Sequence, residues 1–156
     1  MSTIAWLLVG GVLAWVAAIV LAPIAIASGS PVARACAAAT YAAGSFVCHQ
    51  IPERSFHIAG RQFAVCGRCT GLYVSALAGG VLALVFRRRL PIDDRMALAI
   101  AAIPTGLSWG LEHIGLAAQS NTIRAAAALP LGFAAAWVVI ALLTESEQRP
   151  ASSRQP

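Results

Sequence analysis

The chain has 156 residues, of which 59% are hydrophobic and only 11% charged; 11 arginines, no lysine and 6 acidic residues give a net charge of +5. A water-soluble globular domain is about a quarter charged, so this composition excludes one and describes a membrane protein. The arginines stand at the ends of apolar runs and do not interleave with aromatic residues, which excludes a nucleic-acid surface and reads instead as orientation in a bilayer.

In chain order, Ile4 to Ala27 carries no charge and exceeds the roughly 20 residues that cross a hydrocarbon core, which predicts a first transmembrane helix over 4–27. Ala25 and Ala27 would suit a signal peptidase, but the run is too long and no positive residue precedes it, so the helix is expected to be retained. Ser30 and Pro31 read as N-cap and first residue of a short, Ala-rich second helix, 31–47, in which Cys36 is a small packing residue. A cysteine-rich loop, 48–69, follows. Further helices are expected at 70–86, closed by Arg87-Arg88-Arg89 and Pro91, at 96–111, and at 125–143 with a bend at Pro130. The polar segment 144–156 reads as a disordered cytoplasmic tail. The expected fold class is therefore an all-α integral membrane protein: one domain, 1–143, holding a bundle of about five transmembrane helices and a cysteine-rich extracytoplasmic loop.

Placing the 87–95 loop inside puts Arg34, Arg87, Arg88, Arg89, Arg95, Arg149 and Arg154 on the cytoplasmic face and Arg54, Arg61, Arg68 and Arg124 outside, seven against four. On that count the chain is a multi-pass protein of the cell inner (plasma) membrane, N-terminus outside and C-terminus in the cytoplasm. The cysteine-rich loop then shares the outer face with Glu112 and His113 at the end of the fourth helix and with Ser120, Asn121 and Arg124 after it.

Cys66-Gly67-Arg68-Cys69 is a C-x-x-C, a spacing that turns two sulfurs toward one centre. Upstream, "FHIAGRQFAV" alternates apolar and polar residues around Ala59-Gly60, the pattern of a small hairpin, so the region resembles half of a zinc ribbon. Cys48 supplies a third ligand, and His49, His57, His113 or Glu112 is available as a fourth, with His57 or His113 the better choice. His49 is the weaker choice, since its side chain diverges from that of the adjacent Cys48. Zinc is the expected ion and iron the alternative. The same residues admit two other readings: a membrane thiol–disulfide oxidoreductase using Cys66 and Cys69 with Cys48 as resolving thiol, or a structural bundle with an inert disulfide. Glu112 and Arg124 are candidate catalytic groups, the carboxylate for a proton and the guanidinium for an anionic headgroup, with membrane lipid or an amphiphilic small molecule as partner. Arg124 is expected to pair with Glu112, Glu53 or a lipid phosphate. No phosphate-binding glycine loop, serine-hydrolase elbow or dinucleotide fingerprint is present.

The motifs "CHQIPERSF", "CGRCTGLY" and "SNTIR" are similar to those of the domain of unknown function 2085 family, over roughly Cys48 to Gly132. Cys48, His49, Pro52, Arg54, Ser55, Phe56, Cys66, Arg68, Cys69, Thr70, Gly71 and Tyr73 match its first signature, and Ser120, Asn121 and Arg124 the later one. Where the family carries an Asp-Gly in the fourth helix, this chain has Trp109-Gly110, and the nearest acid is Glu112. The resemblance implies a multi-pass membrane protein and carries no activity.

Overall fold

A computed structural model of the chain describes residues 3–86 and 92–148. The elements run α1 (Thr3–Ala27), α2 (Pro31–Ser45), β1 (Ser55–Ile58), β2 (Arg61–Cys66), α3 (Gly67–Phe86), α4 (Asp94–His113) and α5 (Asn121–Gln148), with a single 3-10 turn at Pro52–Arg54 before β1. The arginines at 87–89 and the segment 149–156 lie outside the described residues.

Capping side chains set several boundaries. Ser30 accepts a hydrogen bond from the Ala33 amide (3.3 Å) at the start of α2, and Asp93 accepts from Arg95 and Met96 (3.0 and 3.3 Å), which starts α4 two residues before position 96. Ser120 accepts from Ile123 at 3.2 Å, so α5 begins at Asn121 rather than 125. Its other end corrects the expected tail: the hydroxyls of Thr144 and Ser146 bond back to carbonyls one turn earlier, and the polar segment continues the helix to Gln148. β1 and β2 form an antiparallel hairpin closed by Ala59 and Gly60, both at positive φ, as a two-residue turn requires.

The molecule is mostly helical, with this one small sheet among the described residues. Among the described residues three helices, α1, α3 and α5, are long and apolar enough to cross a membrane. α2 has 15 residues, a rise of roughly 22 Å against a hydrocarbon core of about 30 Å. α4 is 20 residues long but carries Asp94, Arg95, Thr105, Ser108 and Glu112, which dilute its apolar character.

α3 and α5 pack side by side in parallel through a stripe of small residues. Gly67, Gly71, Ser75, Gly79 and Ala83 recur every fourth position on α3 and are buried. Gly67 lies against Asn121, Gly71 against Ala125 and Gly79 against Phe133, while Gly132 of α5 abuts Leu72 and Ser75. A side chain at Gly71 would collide with the backbone of Ala125, so only glycine permits this backbone approach. Gly71→Ala is expected to lower the melting temperature in detergent, at a cost of about 1–3 kcal/mol for overpacking. Gly10→Ala, where nothing lies within 4 Å, should melt like the parent; equal melting of the two variants would refute the contact.

The course of α1 departs from the sequence expectation. Its first turns pack against the far ends of α3 and α5, with Ala5 and Val9 clustered on Ala83, Leu84 and Ile140. Its second half reaches the hairpin: Trp15 sits edge-on to Tyr73, ring centroids 6.0 Å apart, and Ile19 clusters with Cys48, Phe63 and Val65. α1 thus runs antiparallel to α3, and its first residues lie at the opposite end of the bundle from the cysteine-rich loop, not at the same end. Both ends of α2 are consequently at the hairpin end, and Arg34 with them. A charge count cannot detect this, because it assumes that every helix reverses the side.

Candidate metal centre and the arginine cluster beside it

The C-x-x-C straddles a strand-to-helix junction. Cys66 closes β2 opposite Ser55, α3 begins at Gly67, and Cys69 falls in its first turn. Cys48 arrives from α2, whose last turn is continued by the Cys48 amide bonding to the Gly44 carbonyl at 2.9 Å. The amide of Cys66 donates to the Cys48 sulfur at 3.1 Å, and the sulfurs of Cys66 and Cys69 are 3.6 Å apart. All three sulfurs lie within 4.8 Å of one another, with Cys48 buried and the other two half-buried. A disulfide needs about 2.05 Å, whereas two thiolates 2.3 Å from a tetrahedral ion stand roughly 3.8 Å apart. The Cys66 thiol is drawn below the usual cysteine range, chiefly by its hydrogen bond with Cys69 and against the effect of burial. The backbone amides of Arg68 and Cys69, in the first turn of α3, hydrogen-bond to the Cys66 sulfur and also favour its negative form.

A polar brace holds Cys48 over the hairpin. Gln50, in the left-handed region at φ 50°, donates through Nε2 to the carbonyls of Tyr41 (2.8 Å) and Ala64 (2.7 Å), and Gln62 donates to the Gln50 carbonyl at 3.2 Å. The Tyr41 hydroxyl donates to the Gln62 carbonyl. Asn121 at the head of α5 donates to the Ser55 carbonyl at 2.8 Å, tying the hairpin to the bundle. Gln50, Gln62 and Tyr41 carry no chemical signature in the sequence; the left-handed glutamine shows only in three dimensions.

None of the histidines joins the sulfurs, since the metal-competent group among the described residues is the three cysteines alone. His57 is exposed on β1, paired with Gln62 and two residues beyond Ser55, the partner of Cys66. His113, the last residue of α4, is also exposed and stacks on Trp109 at 5.0 Å. His49 lines the same cavity as the cysteines without entering their group. Cys36 is exposed on α2 and packs into no core, contrary to the expectation for it.

Glu112 and Arg124 come together, as expected, in a larger cluster. The Glu112 carboxylate accepts from Arg124 Nη2 (2.7 Å) and Nε (3.3 Å) and from Arg68 Nη2 (2.6 Å), and Arg54 Nε lies 3.5 Å from it. Arg124 Nη1 also donates to Asn121 at 2.7 Å, and Arg68 Nη2 to Ser108 at 3.2 Å. Glu112 is placed by the end of α4, where Gly115, at φ 74°, lets the amides of Gly115 and Leu116 bond back to Glu112 and Leu111. Arg124 is buried and Arg68 nearly so, while the Arg54 side chain is 46% exposed. Arg68 Nε is buried without a hydrogen-bond partner among the described residues.

Three guanidiniums thus surround one carboxylate, and the N-termini of α3 and α5 point to the same end. A cavity of about 290 Å³ joins this cluster to the sulfurs, walled by Cys48, Cys66 and Cys69 on one side and Arg54, Arg68 and Arg124 on the other. Arg68, between the two cysteines in sequence, belongs to both halves.

Comparison with known proteins returns the same region. The model of a family described as "Predicted membrane protein (DUF2085)" matches residues 48–138, a span that opens on Cys48 and takes in every residue of the cavity's charged and sulfur walls. An uncharacterized protein of Methanocaldococcus jannaschii is 34% identical over 108 residues, covering 67% of this chain and 69% of that protein. An uncharacterized protein of Methanothermobacter thermautotrophicus is 30% identical over 87 residues, covering 56% of this chain and 78% of that protein. No solved structure matches.

Proposed function

The chain belongs to the DUF2085 family of predicted membrane proteins, and from that premise we propose that Cys48, Cys66 and Cys69 bind one transition-metal ion with its fourth position open to the arginine-lined cavity. The observation that carries this reading is the convergence of three sulfurs within 4.8 Å with no fourth protein ligand among the described residues. Zinc suits three thiolates best, and iron is the alternative. Sites with three protein ligands and one free position are those at which a water or substrate atom binds. In this arrangement Glu112 positions guanidiniums rather than moving a proton, because the ion-pair partners of its carboxylate among the described residues are Arg54, Arg68 and Arg124. Elemental analysis of protein purified without chelator tests the proposal: about one ion per chain supports it.

A second reading rests on the 3.6 Å approach of Cys66 to Cys69 and the low Cys66 thiol. Those two would cycle between dithiol and disulfide with Cys48 as resolving thiol. Metal-free protein with a Cys66–Cys69 disulfide that exchanges reversibly with a small dithiol would establish that reading and dismiss the metal.

We further propose that α1, α3, α4 and α5 cross the plasma membrane and that α2 lies on its outer surface with the hairpin. With α2 not crossing, Arg34 moves outside and the arginine count becomes six inside against five outside. Arg54, Arg68 and Arg124 of those five are paired with Glu112, so the orienting charge stays with the 87–95 loop. Single cysteines introduced at Ser30 and at His57, with the native cysteines replaced by serine, are expected to react with an impermeant thiol reagent from the same side, outside, and one at Ile92 only after the membrane is opened. Labelling of positions 30 and 57 from opposite sides would restore a crossing α2.

A further inference from the structure

The same cavity has two kinds of wall that the metal does not use. Its deep part is cationic: Arg124 and Arg68, with Arg54 toward the mouth, share the one carboxylate of Glu112, and the buried Arg68 Nε has no hydrogen-bond partner among the described residues. Its rim is open and carries the apolar side chains of Val47 and Ile51 after α2 and of Trp109 on α4, which are 55%, 36% and 56% exposed, beside the exposed His49. Phe46 beside Val47 is 89% exposed. Charges sunk behind an exposed apolar rim are the reverse of a surface that has evolved only to meet water, where the apolar groups lie beneath.

We infer that the cavity takes an amphiphile with a singly charged oxyanion head, a carboxylate or a phosphodiester, on an apolar chain. This rests on the metal reading for its charge balance. Three guanidiniums and one carboxylate leave two positive charges, and a divalent ion with three thiolates carries one negative charge, so the site as a whole is one unit positive. A monoanion compensates it. A head oxygen faces both the guanidinium donors, which suit two-oxygen anions, and the open position of the ion. The chain leaves between Ile51 and Trp109 toward the lipid, where an aromatic residue at an interface is well suited to an alkyl neighbour.

The test uses the full chain in a neutral sugar detergent, with four probes: dodecanoate, acetate, phosphatidylglycerol and phosphatidylcholine. Dodecanoate or phosphatidylglycerol is expected to raise the melting temperature and to bind at least tenfold tighter than acetate and phosphatidylcholine respectively. Preference for dodecanoate assigns a free fatty acid, and preference for phosphatidylglycerol a membrane phospholipid; either supports the inference. Arg54→Ala is the diagnostic variant, because Arg54 is half-exposed and touches Glu112 only at 3.5 Å. It should keep the unliganded melting temperature and the metal content while losing anion affinity at least tenfold, and Arg54→Lys should regain part of it. Acetate binding as tightly as dodecanoate, phosphatidylcholine as tightly as phosphatidylglycerol, or full affinity in Arg54→Ala would each overturn it. Metal-loaded protein that binds none of the probes sinks this inference and leaves the metal centre standing; protein that holds no metal overturns the metal reading and with it the charge balance assigned here, whichever probe binds.

Discussion

Serine in place of Cys48, Cys66 or Cys69 is expected to reduce bound metal from about one ion per chain to below about 0.2, because a three-ligand shell that loses one thiolate retains too few donors. The three variants should behave alike, since their sulfurs form one group within 4.8 Å. Cys36→Ser is the internal control: that cysteine is exposed on α2 and stands apart from the group. Stability should follow occupancy, as an ion that binds only the folded state stabilises it by mass action. A chelator is therefore expected to lower the melting temperature of the parent and of Cys36→Ser, and to leave the other three variants unmoved. Retention of metal by Cys48→Ser would remove that residue from the shell. A parent protein with no metal at all would end the proposal.

How far this site can be read before folding depends on the distance over which each pair is brought together. The C-x-x-C is legible because its spacing is local, and the hairpin is legible because alternation around Ala59-Gly60 is a two-residue period. The third sulfur is legible only as a candidate: Cys48 reaches Cys66 because Gln50 turns left-handed and bonds to both Tyr41 and Ala64, and nothing in a glutamine announces that. Histidine is the natural fourth ligand by chemical type, yet the hairpin pairs His57 with Gln62 and leaves it outside the group of three sulfurs. Arg68 and Glu112 lie 44 positions apart, and their pairing depends on α4 lying along α5 with its end at the head of α3. Hydropathy finds apolar runs but not their direction. The antiparallel course of α1 is set by Val9 and Ile19 meeting opposite ends of α3. The four-residue period of small residues from Gly67 to Ala83 was the available sign of the close α3–α5 contact.

Glu112→Gln is expected to destabilise the protein by about 3–5 kcal/mol, the usual cost of removing one partner from a buried ion pair, and to deplete the metal site. The carboxylate is 12% exposed, and the Arg68 and Arg124 side chains that bond to it are 16% and 10% exposed. A neutral amide would leave two nearly buried guanidiniums, with Arg54 close by, facing one another without a counter-charge. A total stability of about 5–15 kcal/mol makes such a loss a large fraction of the whole. The effect should reach the sulfurs because Arg68 stands between Cys66 and Cys69, so its displacement moves the first turn of α3. A structural hub and a proton-handling group differ in how they respond to compensation. Arg68→Met in the Glu112→Gln background removes one orphaned charge and is expected to recover part of the lost melting temperature, giving a coupling of the sign that a double-mutant cycle assigns to a direct pair. For a proton-transfer group whose salt bridges were incidental, Glu112→Gln would melt within a few degrees of the parent, keep its metal, and show no coupling to Arg68.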